Sequence, residues 1–306
     1  MLYLPQDIPC ASILHAEGAT VSEYDKQCLL NAADAYAAFP NGAKKILLLN
    51  IMPQKAVTEL DIARMMAASS QDVVLIPIKI AGQTYKTTPM EHMERFYLDF
   101  EELESQTFDG LIITGAPVEH LPFEQVRYWP QLCHIIDWAK AGGVRSTLYI
   151  CWGAQAGLYY NYGIPKYPLP AKRFGIFTHR VPTELTTPSL AGLLRELMPA
   201  FPMPHSRHTE VRAADFPHHS LHILAESEES GVGLAATEDG REVYITGHLE
   251  YEPHTLENEY RRDVAKSLPI HLPEHYYHHD DPTAGICFSW KEAAVAFYRN
   301  WLQLCK

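Results

Sequence analysis

The chain has 306 residues, 47% of them apolar and 20% charged, with a formal net charge of −12. That acidity argues against the basic stripe a nucleic-acid binder needs, and no apolar run approaches the roughly 20 residues that span a bilayer. An anionic ligand stays open, because a local group of Lys and Arg can hold phosphates within an acidic protein.

The N-terminus, MLYLPQDIPCASILHAEG, has no basic start and carries Pro5 and Asp7 inside its apolar part, unlike a signal peptide. The six cysteines (10, 28, 133, 151, 287 and 305) form no CxxC pair and read as the reduced thiols of a cytoplasmic protein. Apolar runs at 45–51, 73–80, 110–115, 147–151 and 243–247 predict buried strands. Thr58-Glu59-Leu60-Asp61 predicts a helix start, with a Thr cap and an acid three residues on. Helical spacing fills 123–141 and stops at Gly142-Gly143, and 255–268 and 290–304 predict closing amphipathic helices. This alternation predicts an α/β fold, a mainly parallel sheet with helices on both faces. The stretch around 164–230 interrupts it and is expected to be an inserted subdomain on the core of a single 1–306 domain.

The segment STLYICWGAQAGLYYNYGIPK, 146–166, turns from strand to a helix of small residues at Cys151. A side chain at such a turn sits at the carboxyl edge of the sheet and faces the positive end of a helix, which favours a thiolate. Alone it reads more readily as a buried structural cysteine, by about three to one. A second strand end, EVYITGHLEY, offers His248 with Glu250 two residues on, where an extended chain puts both on one face. Thiol, imidazole and carboxylate form a nucleophile, base and orienter set. The glycine turn in IITGAPVEHLPFEQV could add backbone donors to an oxyanion site, and Lys55 in LLNIMPQKAVTE lies close to a helix start, placed to meet an anion. The run HLPEHYYHHDDP carries His275, His278, His279 and Asp280, but it fits no metal-ligand frame and is read as a solvated loop, with no metal expected.

Together these residues resemble the homoserine O-acyltransferases of methionine biosynthesis. The resemblance rests on LNIMPQKAVTE, TTPMEHMERFYLDFEEL, FDGLIITGAPVEHLPFEQVRYW, CWGAQAGLYYNYGIPKYPLPAK, PHSRHTEV and GHLEYEPHTLENEYRRD. It implies a class I glutamine-amidotransferase-like fold and acyl transfer from acetyl-CoA as co-substrate, with no permanently bound cofactor. By position, Cys151 resembles the acyl-accepting nucleophile, His248 the proton acceptor and Glu250 its partner. Lys55 matches a lysine near that site, and the Trp152 N–H with the 115–117 loop would hold the oxyanion. Lys172, Ser206 and Arg262 fall where the family contacts its amino-acid substrate. Glu119 stands where members with Glu resemble acetyl-CoA users and members with Gly resemble succinyl-CoA users.

The chain departs from the family pattern at 25–43, 192–203 and 290–293, and reads HLEY where HPEY is usual. Transfer to homoserine is the leading expectation. Serine as acceptor, succinyl as the acyl group, and a non-enzymatic small-molecule-binding regulator stay open beside it. The expected partners are acyl-CoA and a small amino acid, without nucleic acid or membrane; a homodimer is left open.

Overall fold

In the computed structural model, which describes residues 1–31, 37–183, 187–217 and 220–305, the apolar runs join one mixed sheet. Its strands are β1 (Leu2–Pro5), β2 (Val21–Tyr24), β3 (Lys44–Leu49), β4 (Val73–Lys79), β5 (Leu98–Asp99) and β6 (Phe108–Ile113). They continue as β7 (Val144–Ile150), β8 (Tyr167–Arg180), β9 (Ala200–Glu210), β10 (His222–Ser227), β11 (Gly231–Ala236) and β12 (Glu242–Ile245). The order is β2-β1-β4-β3-β6-β7-β12-β11-β10-β8-β9, with β5 on β4. From β2 to β12 the neighbours are parallel; from β12 to β9 they are antiparallel.

Both faces of the parallel part are covered, which is why its strands are apolar without alternation. In β3, Ile46 and Leu48 face one core and Leu47 and Leu49 the other. The first core takes Leu14, Ile62, Met66 and Trp301 from helices Pro9–Ala16, Lys55–Ala68 and Lys291–Leu304. The second takes Leu132, Ile136 and Leu158 from helices Trp129–Trp138 and Trp152–Tyr162. Residues of 164–230 form β8, β9 and β10, which lengthen the same sheet. Among the described residues, no helix is long and apolar enough to cross a membrane.

Several boundaries differ from the sequence reading. The helix expected to start at Thr58 begins at Lys55, so Thr58 is interior and its N–H reaches back to the Gln54 carbonyl (3.4 Å). The 123–141 helix is a short turn, Phe123–Gln125, followed by Trp129–Trp138 and a π turn over Ala139–Gly143. Pro130 explains the break, since in the first turn of the second segment it has no N–H to donate to the turn before it. The 255–268 helix ends at Ala265, just before Ser267 turns to φ 53°. The N-terminal unit of β1, helix Pro9–Ala16 and β2 is absent from the sequence reading; β1 ends in a proline and β2 carries the polar pair Ser22-Glu23, so neither is a dense apolar run.

Candidate active site

Cys151 joins β7 to helix Trp152–Tyr162 and holds φ 52°, ψ −115°, a conformation that costs a non-glycine residue about 1–3 kcal/mol. Close packing around the turn holds it there. A side chain at Gly153 would start 2.6 Å from the Thr114 carbonyl oxygen, and one at Gly157 would start 2.8 Å from the Tyr149 ring. The helix can therefore lie against β6 and β7 only with glycine at these positions. The Cys151 N–H donates to the Ile245 carbonyl (2.8 Å), which locks the thiol to the end of β12. Gly115, at the end of β6, lies against the other side of Cys151.

His248 and Glu250 follow β12 and are both buried. Nδ1 of His248 lies 2.6 Å from Glu250 Oε1, which leaves Nε2 for Cys151, whose charge acts on the imidazole. The pairing does not arise from strand alternation: β12 stops at Ile245, and the turn beyond it brings the two side chains together. Burial alone would push the His248 imidazole down, but Cys151 and Glu250 hold it well above the usual histidine range. The Tyr251 ring stacks on His248 at 4.1 Å, and the Tyr298 hydroxyl donates to Glu250 Oε2 at 3.5 Å. Asp61, also buried and beside Glu250, is held well above the usual carboxylate range by burial and that neighbouring charge.

The long β8–β9 ribbon sets Phe174 opposite Ser206, which brings Lys172 and Ser206 to the same helix, Thr255–Ala265. Lys172 Nζ reaches Glu259 Oε1 (2.8 Å), the Ser206 hydroxyl donates to Glu259 Oε2 (2.8 Å), and Arg262 reaches Glu259 Oε1 (3.2 Å). Three residues picked out by position thus converge on one carboxylate that sequence reasoning missed. Its signal was the spacing: Glu259 and Arg262 are three apart on one helix face.

Arg207, adjacent to Ser206, was also missed. It is 2% exposed, lowered to about 10 by burial, and its charge acts on both Cys151 and Glu119. Its Nε donates to His205 Nδ1 (3.2 Å) and its Nη1 to the Thr209 carbonyl (2.7 Å). Glu119 sits in the loop after β6, where Lys166 holds its carbonyl (2.7 Å) and its Oε1 accepts from the His208 N–H (3.3 Å).

Lys55 is buried and pushed down to about 8 by desolvation, and its Nζ donates to the Asn50 (2.5 Å) and Met52 (2.8 Å) carbonyls. Trp152 is buried against Phe123 and Tyr128, and its backbone N–H opens the first turn of its helix, where no intrahelical acceptor exists. Among the described residues, His278, His279 and Asp280 do not gather around His275; the one cluster at metal-ligand spacing is the exposed set Glu229, Glu274 and His275.

A family model described as homoserine O-succinyltransferase matches residues 2–306. A Bacteroides thetaiotaomicron protein named homoserine O-acetyltransferase is 43% identical over 304 residues, covering 98% of this chain and 94% of its own. One of the same name from Parabacteroides distasonis is 49% identical over 259 residues, covering 84% and 82%. In structure, a glutamine amidotransferase from Thermotoga maritima superposes with a TM-score of 0.54 at 13% identity, over 87% of this chain and 100% of that one. One from Methylobacillus flagellatus gives 0.54 at 12% identity, over 86% and 94%. Those two likenesses speak for the fold, which is that of the glutamine amidotransferases; the sequence matches go further, and by them the chain belongs to the homoserine O-succinyltransferase family.

Proposed function

We propose that the protein transfers an acetyl group from acetyl-CoA to the hydroxyl of L-homoserine, a step of methionine biosynthesis, through an acetyl-Cys151 intermediate. The observation that carries the reading is the Cys151–His248–Glu250 set at the ends of two adjacent parallel strands. In the first half-reaction the Cys151 thiolate attacks the thioester carbonyl. The carbon–sulfur bond to CoA breaks, and the departing CoA thiolate takes the proton from His248. The Trp152 N–H and the 115–117 loop hold the oxyanion.

In the second half-reaction neutral His248 takes the homoserine hydroxyl proton. The oxygen attacks the acetyl carbon, and Cys151 leaves as thiolate. The acceptor's carboxylate meets Arg262, and its ammonium meets Glu259, which Lys172 and Ser206 hold in place. Homoserine is preferred over serine because the relatives at 43–49% identity carry its name. CoA release with each acceptor tests this. One methylene in a pocket is worth about 10–200-fold, so kcat/KM is expected to favour homoserine by at least about tenfold. A tenfold preference for serine would reverse the choice.

Acetyl over succinyl follows from Glu119. Its carboxylate near Cys151 fills space and repels the second carboxylate of a succinyl group. Glu119→Gly is expected to raise turnover with succinyl-CoA relative to acetyl-CoA by about tenfold or more. An unchanged ratio would place the selection elsewhere.

A further inference from the structure

A cavity of about 480 Å³ opens beside the Cys151 site at the carboxyl ends of β3 and β4. Its walls come from 49–55, 79–87 and 118–128. Four cations line it (Lys55, Lys79, Lys86 and Arg127) and no carboxylate does, in a chain with 37 acidic and 25 basic residues. Such a local sign reversal focuses anions. Of the four, Lys79 is neutralised by Asp99 at 2.6 Å. Arg127 spends its donors on the Gln83 and Thr84 side chains, with no carboxylate partner among the described residues. Lys86 is exposed and has neither ion pair nor hydrogen bond among the described residues.

The cavity meets the site at two points. The Ile51 N–H donates to Thr114 Oγ1 (2.9 Å), and Thr114 precedes the Gly115 that lies against Cys151. The Tyr128 ring stands edge-on to Trp152 at 6.2 Å. The lining also carries apolar side chains, among them Leu49, Ile80, Val118 and Val126. Cations and apolar surface in one cavity beside a thiol match one ligand shape, a phosphorylated nucleotide joined by a long arm to a thioester.

Resting on the reading of Cys151 as acyl acceptor, we propose that this cavity seats the carrier part of acetyl-CoA. Its phosphates meet Lys86 and Arg127, and its pantetheine arm runs past Val118 and Tyr128 toward Cys151. The competing source of a phosphorylated arm, a carrier protein, lacks the adenosine end, so adenosine 3′,5′-bisphosphate separates the two.

The test compares acetyl-CoA with acetyl-pantetheine, the same thioester without phosphates, in the wild type, Lys86→Ala, Arg127→Ala and the double variant. Each lost charge is expected to raise KM for acetyl-CoA by about tenfold. The kcat/KM preference for acetyl-CoA over acetyl-pantetheine should fall by the same factor. Arg127→Lys, which keeps the charge, should recover most of that preference. Adenosine 3′,5′-bisphosphate should compete with acetyl-CoA in the wild type and weaken in the double variant. Lys86 makes no hydrogen bond or ion pair among the described residues, so its variant reports on charge without breaking one. A preference unmoved in the double variant, or no competition by the bisphosphate, overturns the proposal. A wild type inert with acetyl-CoA overturns instead the reading of Cys151 on which it rests.

Discussion

Incubated with acetyl-CoA and no acceptor, the protein is expected to gain one acetyl group on the peptide carrying Cys151, and Cys151→Ala is expected to gain none. Turnover in that variant should fall by about 10⁴-fold or more, the scale on which removal of a nucleophile acts. The reasons are geometric and electrostatic. Cys151 stands at a strand-to-helix turn with His248 on one side and the buried Arg207 close by. Burial pushes the Cys133 thiol up to about 11 and the Cys10 thiol up to about 12, so neither forms thiolate readily near neutral pH. Replacing Sγ by hydrogen keeps a non-glycine residue at φ 52°, so the turn stays and stability should change by only about 1 kcal/mol. Intact-mass and peptide mapping check this. Acetyl on Cys133 or Cys287, or its persistence in Cys151→Ala, would defeat the assignment.

What could be read in the sequence, and what could not, follows the range of the interactions. The turn at Cys151 was legible because it is local: an apolar strand, then Gly153 and Gly157 where a helix must touch the sheet. The parallel strands were legible for the same reason, since β3, β4, β6 and β7 are dense apolar runs buried on both faces. The proximity of His248 and Glu250 was also legible, although its physical basis is a turn after β12 and not strand pleating.

Glu259 was not legible, because its importance lies in joining Lys172, 87 residues away, and Ser206, 53 residues away. The antiparallel extension of the sheet hid behind the prolines of β8 and β9, which mimic a loop in a pattern search yet sit in a long ribbon. The acid-free cavity was invisible for a related reason. Lys55, the pair Lys79 and Lys86, and Arg127 come from three segments far apart in sequence.

His248→Asn is expected to slow both half-reactions by roughly 10²–10⁴-fold, the usual worth of a positioned acid–base group. The pH profile of the second half-reaction separates its role from that of Glu250. In the acetyl-enzyme the Cys151 charge is gone, and Glu250 stays bonded to the imidazole and raises it. The base acts as neutral imidazole, so transfer to homoserine is fast above the His248 pKa and lost as pH falls through it. Glu250→Gln removes that upward pull while burial still pushes down, so that acid limb must move to lower pH. The plateau should also fall, by roughly 10²–10⁴-fold, because Nδ1 loses the carboxylate that fixes tautomer and ring. Single-turnover transfer from preformed acetyl-enzyme, followed across pH in both proteins, reads limb and plateau together. An acid limb that stays in place in Glu250→Gln would remove Glu250 from the mechanism. Near-normal transfer in a folded His248→Asn protein would remove His248 as well.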